Sequence, residues 1–528
     1  MEVPVVCNIP AMDHVRFARR LLVTLFSITL MAFWLEAAWE FSRAIDPTTG
    51  EPVRLLQLRA TPAMVRSLAS SVGGAYSTML ALLLTFISLA IPITANLYTP
   101  KLIEIFIRDR INLFVICTCA ILAAHNLLAV SLSFDQWTAQ LPFAIAVAGA
   151  IVGWLLLLPY YFYVVSFIDP LTIIKRVHRS LMHEIADTVR GQHSVAVSQE
   201  RVNQKIHNLG SVLLRAADRA DRDVILDTVR THILELTRIR EVKPRLPAEF
   251  FRVSNDLLAG MTGDATDILS EARIWIEHQI ASQLVLAFKS VLVKMPDGVS
   301  AMAQAVKNAA HEESCLRNDE VFHLLVRVLN SFTREAIKKK GNGSVCDVIY
   351  SYKALVRRLL GDRPEEVPRM VRYMRFYAEF ARAQGLPFVY ERLSYELGEL
   401  TERAYEGTAA PARELLDAVL AFEGAEQSVG LVKSRATLAG YFLERGFSQE
   451  LELVAASLRN ATPSVVEQAK RDIVSVQDRV FWELNDRGAN FDFVEPQRRT
   501  RVIEVFDRLI AVGGLTVATV TCAPLDLT

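Results

Sequence analysis

"VGGAYSTMLALLLTFISLAIPITANLYTPKLIEIFIRDRIN", Val72 to Asn112, decides the architecture. From Val72 to Leu97 there is no charged residue. That stretch exceeds the roughly 20 residues needed to cross a hydrocarbon core of about 30 Å. A short charged segment follows, and apolar residues resume at Ile111. The segment opens like a helix, with Thr99 as an N-cap hydroxyl and Pro100 where a missing N–H costs nothing. Lys101, Glu104 and Arg108 recur at spacings of three and four and share one face, next to Asp109 and Arg110. Leu102, Ile103, Ile105, Phe106 and Ile107 cover the rest. The segment reads as a connection at the membrane surface, either an interfacial amphipathic helix or a tight connector with snorkelling charges.

Working outward, three more runs have spanning length: Leu21–Trp39, Ile111–Ser133 and Leu141–Ile168. The first follows Arg16, Arg19 and Arg20 but lacks a cleavage pattern, so it reads as a retained helix. Four spans, at about 21–39, 72–97, 111–133 and 141–168, are expected within residues 1–170. Positive flanks orient them. One side receives Arg16, Arg19, Arg20, Lys101, Arg108, Arg110, Lys175, Arg176 and Arg179. The other receives Arg43, Arg54, Arg59 and Arg66, with no Lys or Arg in "SFDQWTAQ". The first side is expected to be cytoplasmic, which places both termini inside and makes the chain a multi-pass inner-membrane protein in contact with lipid.

The totals agree with this reading. The 528-residue chain is 52% hydrophobic, with a mean hydropathy of +0.25. Lys plus Arg and Asp plus Glu both number 58, so no global basic field exists to recruit nucleic acid, and none is expected as a partner. Six scattered cysteines are too few for a disulfide scaffold.

The stretch Val65–Asn112 resembles the uncharacterised bacterial membrane-protein family known as domain of unknown function 2254. The matching positions are Arg66, Phe86, Ser88, Thr99-Pro100-Lys101, Phe106 and Asp109-Arg110. The family's Ser-Pro-Arg is Thr-Pro-Lys here, and Ala95-Asn96-Leu97 replaces its Ser-Ser-Gln. The Ser-Pro-Gly-Ile-Asn-Asp-Pro stretch of the family's soluble part is absent. The resemblance implies a membrane architecture and carries no activity.

Polar residues inside the runs are the candidate functional positions. Thr78, Thr85, Ser88, Pro92, Asn96 and Thr99 line one face of the second span. Thr85, Ser88, Pro92 and Asn96 are expected either to contact another helix or to line the pore of an oligomer. His125 and Asn126 in the third span are expected to hydrogen-bond across helices, since a proton relay would want an acidic partner nearby. Glu36 lies near the outer end of the first span, within reach of headgroups. Gly149 and Gly153 in "GAIVG" form a GxxxG packing face, inside the bundle or between copies.

From about Leu171 the pattern becomes amphipathic at helical period, broken at "KPRLP", "MPDG", "KKKGNGS", "GDRPEE", "AQGLP", "GTAAP" and "NATP". The fold class is therefore all-α. Residues 171–528 form a cytoplasmic helical bundle or irregular α-solenoid, with a candidate division at 341–344. The apolar tail Leu509–Cys522 is too short to span and is expected to dock on this domain. Around Pro364–Tyr405 arginines and tyrosines interleave, which fits a partner- or nucleotide-binding face or a charged helix surface with tyrosine at its apolar edge.

No catalytic, cofactor-binding or metal-binding set is recognised. GxxxxGK[ST] and HExxH are absent, and "GNGS" lacks the context of a nucleophile elbow. His178 and His183 are five apart and point off one helical face. "HEESC" sets His311 and Cys315 on one face, but zinc would need two further ligands. A non-enzymatic role is expected: a membrane anchor presenting a helical domain to a cytoplasmic protein partner. The alternative is an oligomeric channel or transporter, a homo-oligomer with the second span's polar face in the pore.

Overall fold

The computed structural model describes residues 24, 27–36, 38, 39, 62–97, 110–131, 140–254, 256–258, 260–407, 409–424, 428–480 and 490–512. These residues are helical with short turns, and none of them forms a β-sheet. The chain separates into two compact units, Met1–Arg176 and Val177–Thr528.

In the first unit the helices are α1 (Ser27–Glu36), α2 (Pro62–Leu97), α3 (Arg110–Ser131) and α4 (Gln140–Ile168). Among the described residues three helices are long and apolar enough to cross a membrane, in the segments Ser70–Leu89, Ile111–Leu128 and Ala144–Ser166. This corrects the expected four. Of the first run, the described residues give the shorter apolar helix α1, with Ala38 and Trp39 also helical. Leu21–Val23, Leu25, Phe26 and Ala37 of that run lie outside the described residues. Pro62 opens α2 ten residues before Val72, where its missing N–H costs nothing. Pro159 sits within α4 without ending it. The three long helices pack on one another around Tyr76, Met79, Leu83, Val115, Cys119 and Tyr160. Leu84, Leu89, Phe114, Leu127, Leu155 and Phe162 face outward and are exposed. Apolar inside and out is what a lipid-facing bundle requires.

Asp169 starts the next helix, α5 (Pro170–Val189). Its Oδ2 accepts from the Thr172 N–H at 3.0 Å and from the Thr172 hydroxyl at 2.8 Å, and Pro170 takes the first helical position.

In the second unit α6 (Val195–Asp218), α7 (Arg222–Val242), α8 (Gly263–Glu271), α9 (Trp275–Lys294), α10 (Gly298–Cys315), α11 (Asp319–Lys339) and α12 (Asn342–Asp362) follow in turn. They continue into α13 (Val367–Ala383), α14 (Pro387–Glu406), α15 (Ala412–Leu420), α16 (Val429–Arg445), α17 (Ser448–Leu458), α18 (Pro463–Ser475) and α19 (Pro496–Val512). The sequence breaks become turns for local reasons. Lys340 caps α11 with φ +58° and α12 begins two residues on, so "KKKGNGS" is a tight turn between packed helices. Gly385 and Gly446 take φ +78°, which glycine adopts without strain. Pro387 and Pro463 occupy first helical positions. Of the apolar tail, residues 513–528 lie outside the described residues.

The core is aromatic at its centre. Trp275 is fully buried and donates its indole N–H to the Phe250 carbonyl at 3.0 Å. Phe288 of α9 stacks on Phe332 of α11 with ring centroids 3.8 Å apart. A charge is also enclosed. Glu235 is buried between His232 Nδ1 at 3.0 Å and His178 Nδ1 at 3.5 Å. Burial alone would raise its carboxyl, but hydrogen bonds from the two imidazoles outweigh that and hold it below its ordinary value.

Candidate functional site

The first unit contains a polar centre that the sequence did not assemble. His125 lies on α3, six residues before its end at Ser131, about 9 Å along the axis. Its Nε2 is 2.7 Å from Glu36 Oε2 on α1. The imidazole is buried, and the carboxylate retains about a fifth of its exposure. Phe33, one turn before Glu36 and itself buried, sets its ring edge-on to the imidazole at 5.9 Å. On the α2 side a Cβ at Gly73 would stand 3.1 Å from Asn126 Nδ2, so glycine makes room for that amide. His125 Nδ1 and Asn126 Oδ1 are buried without a partner among the described residues.

Thus His125 does bond across helices, but to an acid. Glu36, expected to reach headgroups, turns inward to it instead. Sequence reasoning missed the pair because its members are 89 residues apart on different helices. The available signal was two ionisable residues in separate apolar runs, since such groups seldom stay unpaired in lipid. Chemically, the pair is joined by one hydrogen bond, with the carboxylate at the more open end and the imidazole at the buried end.

The pair's energetics can be tested directly. Glu36→Leu strands a buried imidazole and is expected to destabilise the bundle by about 2 kcal/mol. The double variant Glu36→Leu/His125→Leu removes both polar groups and is expected to recover most of that loss. Reversible unfolding in bicelles measures both, and a double variant as unstable as the summed singles would show that the two side chains are uncoupled.

The other sequence-derived positions fall as follows. Thr78, Thr85 and Ser88 are exposed, facing away from their own bundle. The Thr78 and Thr85 hydroxyls donate to the carbonyls of Gly74 at 2.9 Å and Ala81 at 2.7 Å. Pro92 and Asn96 are within α2, with side chains outside the described residues. Thr99, Pro100, Lys101, Glu104, Arg108 and Asp109 also lie outside them, and Arg110 is the first residue of α3.

Gly149 and Gly153 face inward. A Cβ at Gly149 would sit 2.6 Å from Leu122 Cδ2 and 2.7 Å from the Tyr76 hydroxyl. One at Gly153 would sit 2.8 Å from Met79 Sδ. The Tyr76 hydroxyl donates to the Ala146 carbonyl at 2.9 Å, tying α2 to α4 across this face. At the other end Tyr160 donates to the Asn112 side-chain oxygen, and the Arg176 guanidinium lies 5.7 Å from the Tyr163 ring. His178 and His183 do not converge, because His183 pairs with Asp187 at 2.9 Å.

A bundle of three long apolar helices that pairs its histidine with a carboxylate inside has the make-up of a membrane domain. Residues 17–227 match the family described as "Predicted membrane protein (DUF2254)". The matched DUF2254 segment contains Glu36, His125 and all three long apolar helices, and it ends within α7. No curated protein matches the chain. Among solved structures it is similar to a "Circular tandem repeat protein with novel repeat topology and enhanced subunit contact surfaces". That similarity has 12% identity and a TM-score of 0.29, and covers 83% of this chain and 97% of the other.

Proposed function

We propose that the protein is a membrane anchor that presents a helical protein-binding domain on the cytoplasmic face of the inner membrane, without a reaction of its own. The observation that carries this reading is the outer face of α13. Tyr377 turns in and is buried, as is Tyr390 on α14, and Tyr373 is half-buried. Arg372 and Arg375 turn out, and beside them Phe376 stays 53% exposed, stacked on Phe380 at 6.4 Å. An aromatic ring offered to solvent among arginines has the composition of an interface anchor. It suits a protein segment that brings an apolar side chain flanked by carboxylates.

In this reading Lys175, Arg176 and Arg179, which follow the last long apolar run, hold the second unit on the inner side. A photo-crosslinking residue at Phe376 is expected to trap one partner in native membranes. Arg375→Glu is expected to abolish trapping at unchanged thermal stability, whereas Arg230→Glu leaves it intact. Trapping unaffected by Arg375→Glu, or a tag near residue 300 digested from outside intact cells, would overturn the proposal.

One observation favours a second reading. Thr78, Thr85 and Ser88 of α2 face away from their own bundle, which is where a neighbouring copy would have to sit in an oligomeric channel. Reconstituted protein silent under voltage, tension and pH steps would remove it.

A further inference from the structure

The second unit brings together a set of metal-ligand side chains that the sequence leaves incomplete. His311 and Cys315 stand one turn apart at the end of α10, and Asp362 is the last residue of α12. The two helices pack side by side, so their carboxyl ends meet. His311 Nε2 lies 2.8 Å from Asp362 Oδ2 and 3.7 Å from Cys315 Sγ, and the three donor atoms all lie within 4.8 Å of one another. We infer that His311, Cys315 and Asp362 form a binding site for a divalent ion of the zinc class, with the fourth position open to water.

The geometry bears on this quantitatively. Tetrahedral zinc takes sulfur at about 2.3 Å, imidazole nitrogen at about 2.0–2.1 Å and carboxylate oxygen at about 2.0–2.2 Å, which sets N and S about 3.6 Å apart and N and O about 3.4 Å apart. The observed N–S separation already matches, and the N–O separation must open by about 0.6 Å, within a side-chain adjustment. Cys315 and Asp362 are exposed, so an ion has a path in. A thiolate, an imidazole and a carboxylate together favour zinc-like ions over magnesium or calcium, which prefer all-oxygen sites. The bound ion would link the ends of α10 and α12 and keep one coordination position for water.

One neighbour opposes binding, and that opposition gives the test its direction. Arg358 Nη1 is 3.3 Å from His311 Nδ1. A guanidinium only donates, so Nδ1 must present its lone pair and Nε2 its proton, which goes to Asp362. With a metal on Nε2 the proton moves to Nδ1, where a ligating histidine usually donates to an acceptor. Arg358 must then swing away. If the trio were only an ion pair clamping two helices, removing Arg358 would do nothing for metals.

The inference does not depend on the membrane-anchor reading. The test uses the full chain in detergent, without a polyhistidine tag, stripped with chelator and titrated with cobalt(II). The expected result is one ion per chain with a thiolate-to-cobalt charge-transfer band. Cys315→Ser loses the band, Asp362→Asn weakens binding on the order of tenfold or more, and Arg358→Gln tightens it. Circular dichroism confirms that each variant is folded. A wild-type band no stronger than that of Cys315→Ser, or an Asp362→Asn affinity equal to wild type, overturns the assignment.

Discussion

Replacing Gly440 with leucine is expected to destabilise the second unit by about 3 kcal/mol or more. Gly440 is the point where α16 meets α19. A Cβ there would stand 2.4 Å from Val502 Cγ2 and 3.2 and 3.3 Å from the Val502 backbone nitrogen and Cα. Those backbone atoms belong to a helix and cannot rotate aside, so relief requires moving α19 as a body. That motion would also disturb the contact of Arg498, one turn before Val502, which bonds Glu402 at 2.7 Å and Glu444 at 3.0 Å and lies 5.1 Å over the Tyr441 ring. Gly343→Ala is the matched control, since no atom lies within 4 Å of a Cβ there and alanine favours the helix. Denaturant unfolding should show a large loss for Gly440→Leu and none for Gly343→Ala. Equal stability of the two variants would mean that the approach of α16 to α19 is not tight.

The second large effect is a pH dependence from the same cluster. Burial raises the Glu402 carboxyl to about 7, with Arg498 pulling it down and Glu406 and Glu444 adding to the rise. In the unfolded chain the group titrates near its ordinary value of 4.5. The folded state therefore holds an extra proton between those two values. The resulting stability is fully present below about 4.5 and is lost as pH rises through about 7, a swing of about 3 kcal/mol. Glu402→Gln cannot titrate, so its stability between pH 5 and pH 7 should fall less steeply than that of the wild type. Parallel slopes in the two proteins would mean that Glu402 is already ionised in the fold.

Several features were legible before any coordinates. Val72–Leu97 and Leu141–Ile168 read as spans because an uncharged run of that length has no stable place in water. "AQGLP" and "NATP" read as helix junctions because proline is tolerated at a first helical turn and glycine at positive φ, and Gly385, Pro387 and Pro463 take those places. Gly149 and Gly153 read as a packing face but not against what. The first run was harder, because hydropathy measures composition and does not show that the glutamate within it, Glu36, turns inward to a histidine.

What composition and periodicity determined was the identity of the elements: apolar runs for lipid, amphipathic helices for the second unit, breaks where the backbone demands them. These are properties of neighbouring residues, so one strand of sequence contains them. What only the tertiary structure decided was which distant side chains meet. Glu36 reaches His125 across 89 positions, and Asp362 reaches His311 across 51. Such meetings depend on which helix faces pack together, a choice made by the summed burial of whole surfaces and not by the polar residues that happen to lie on them.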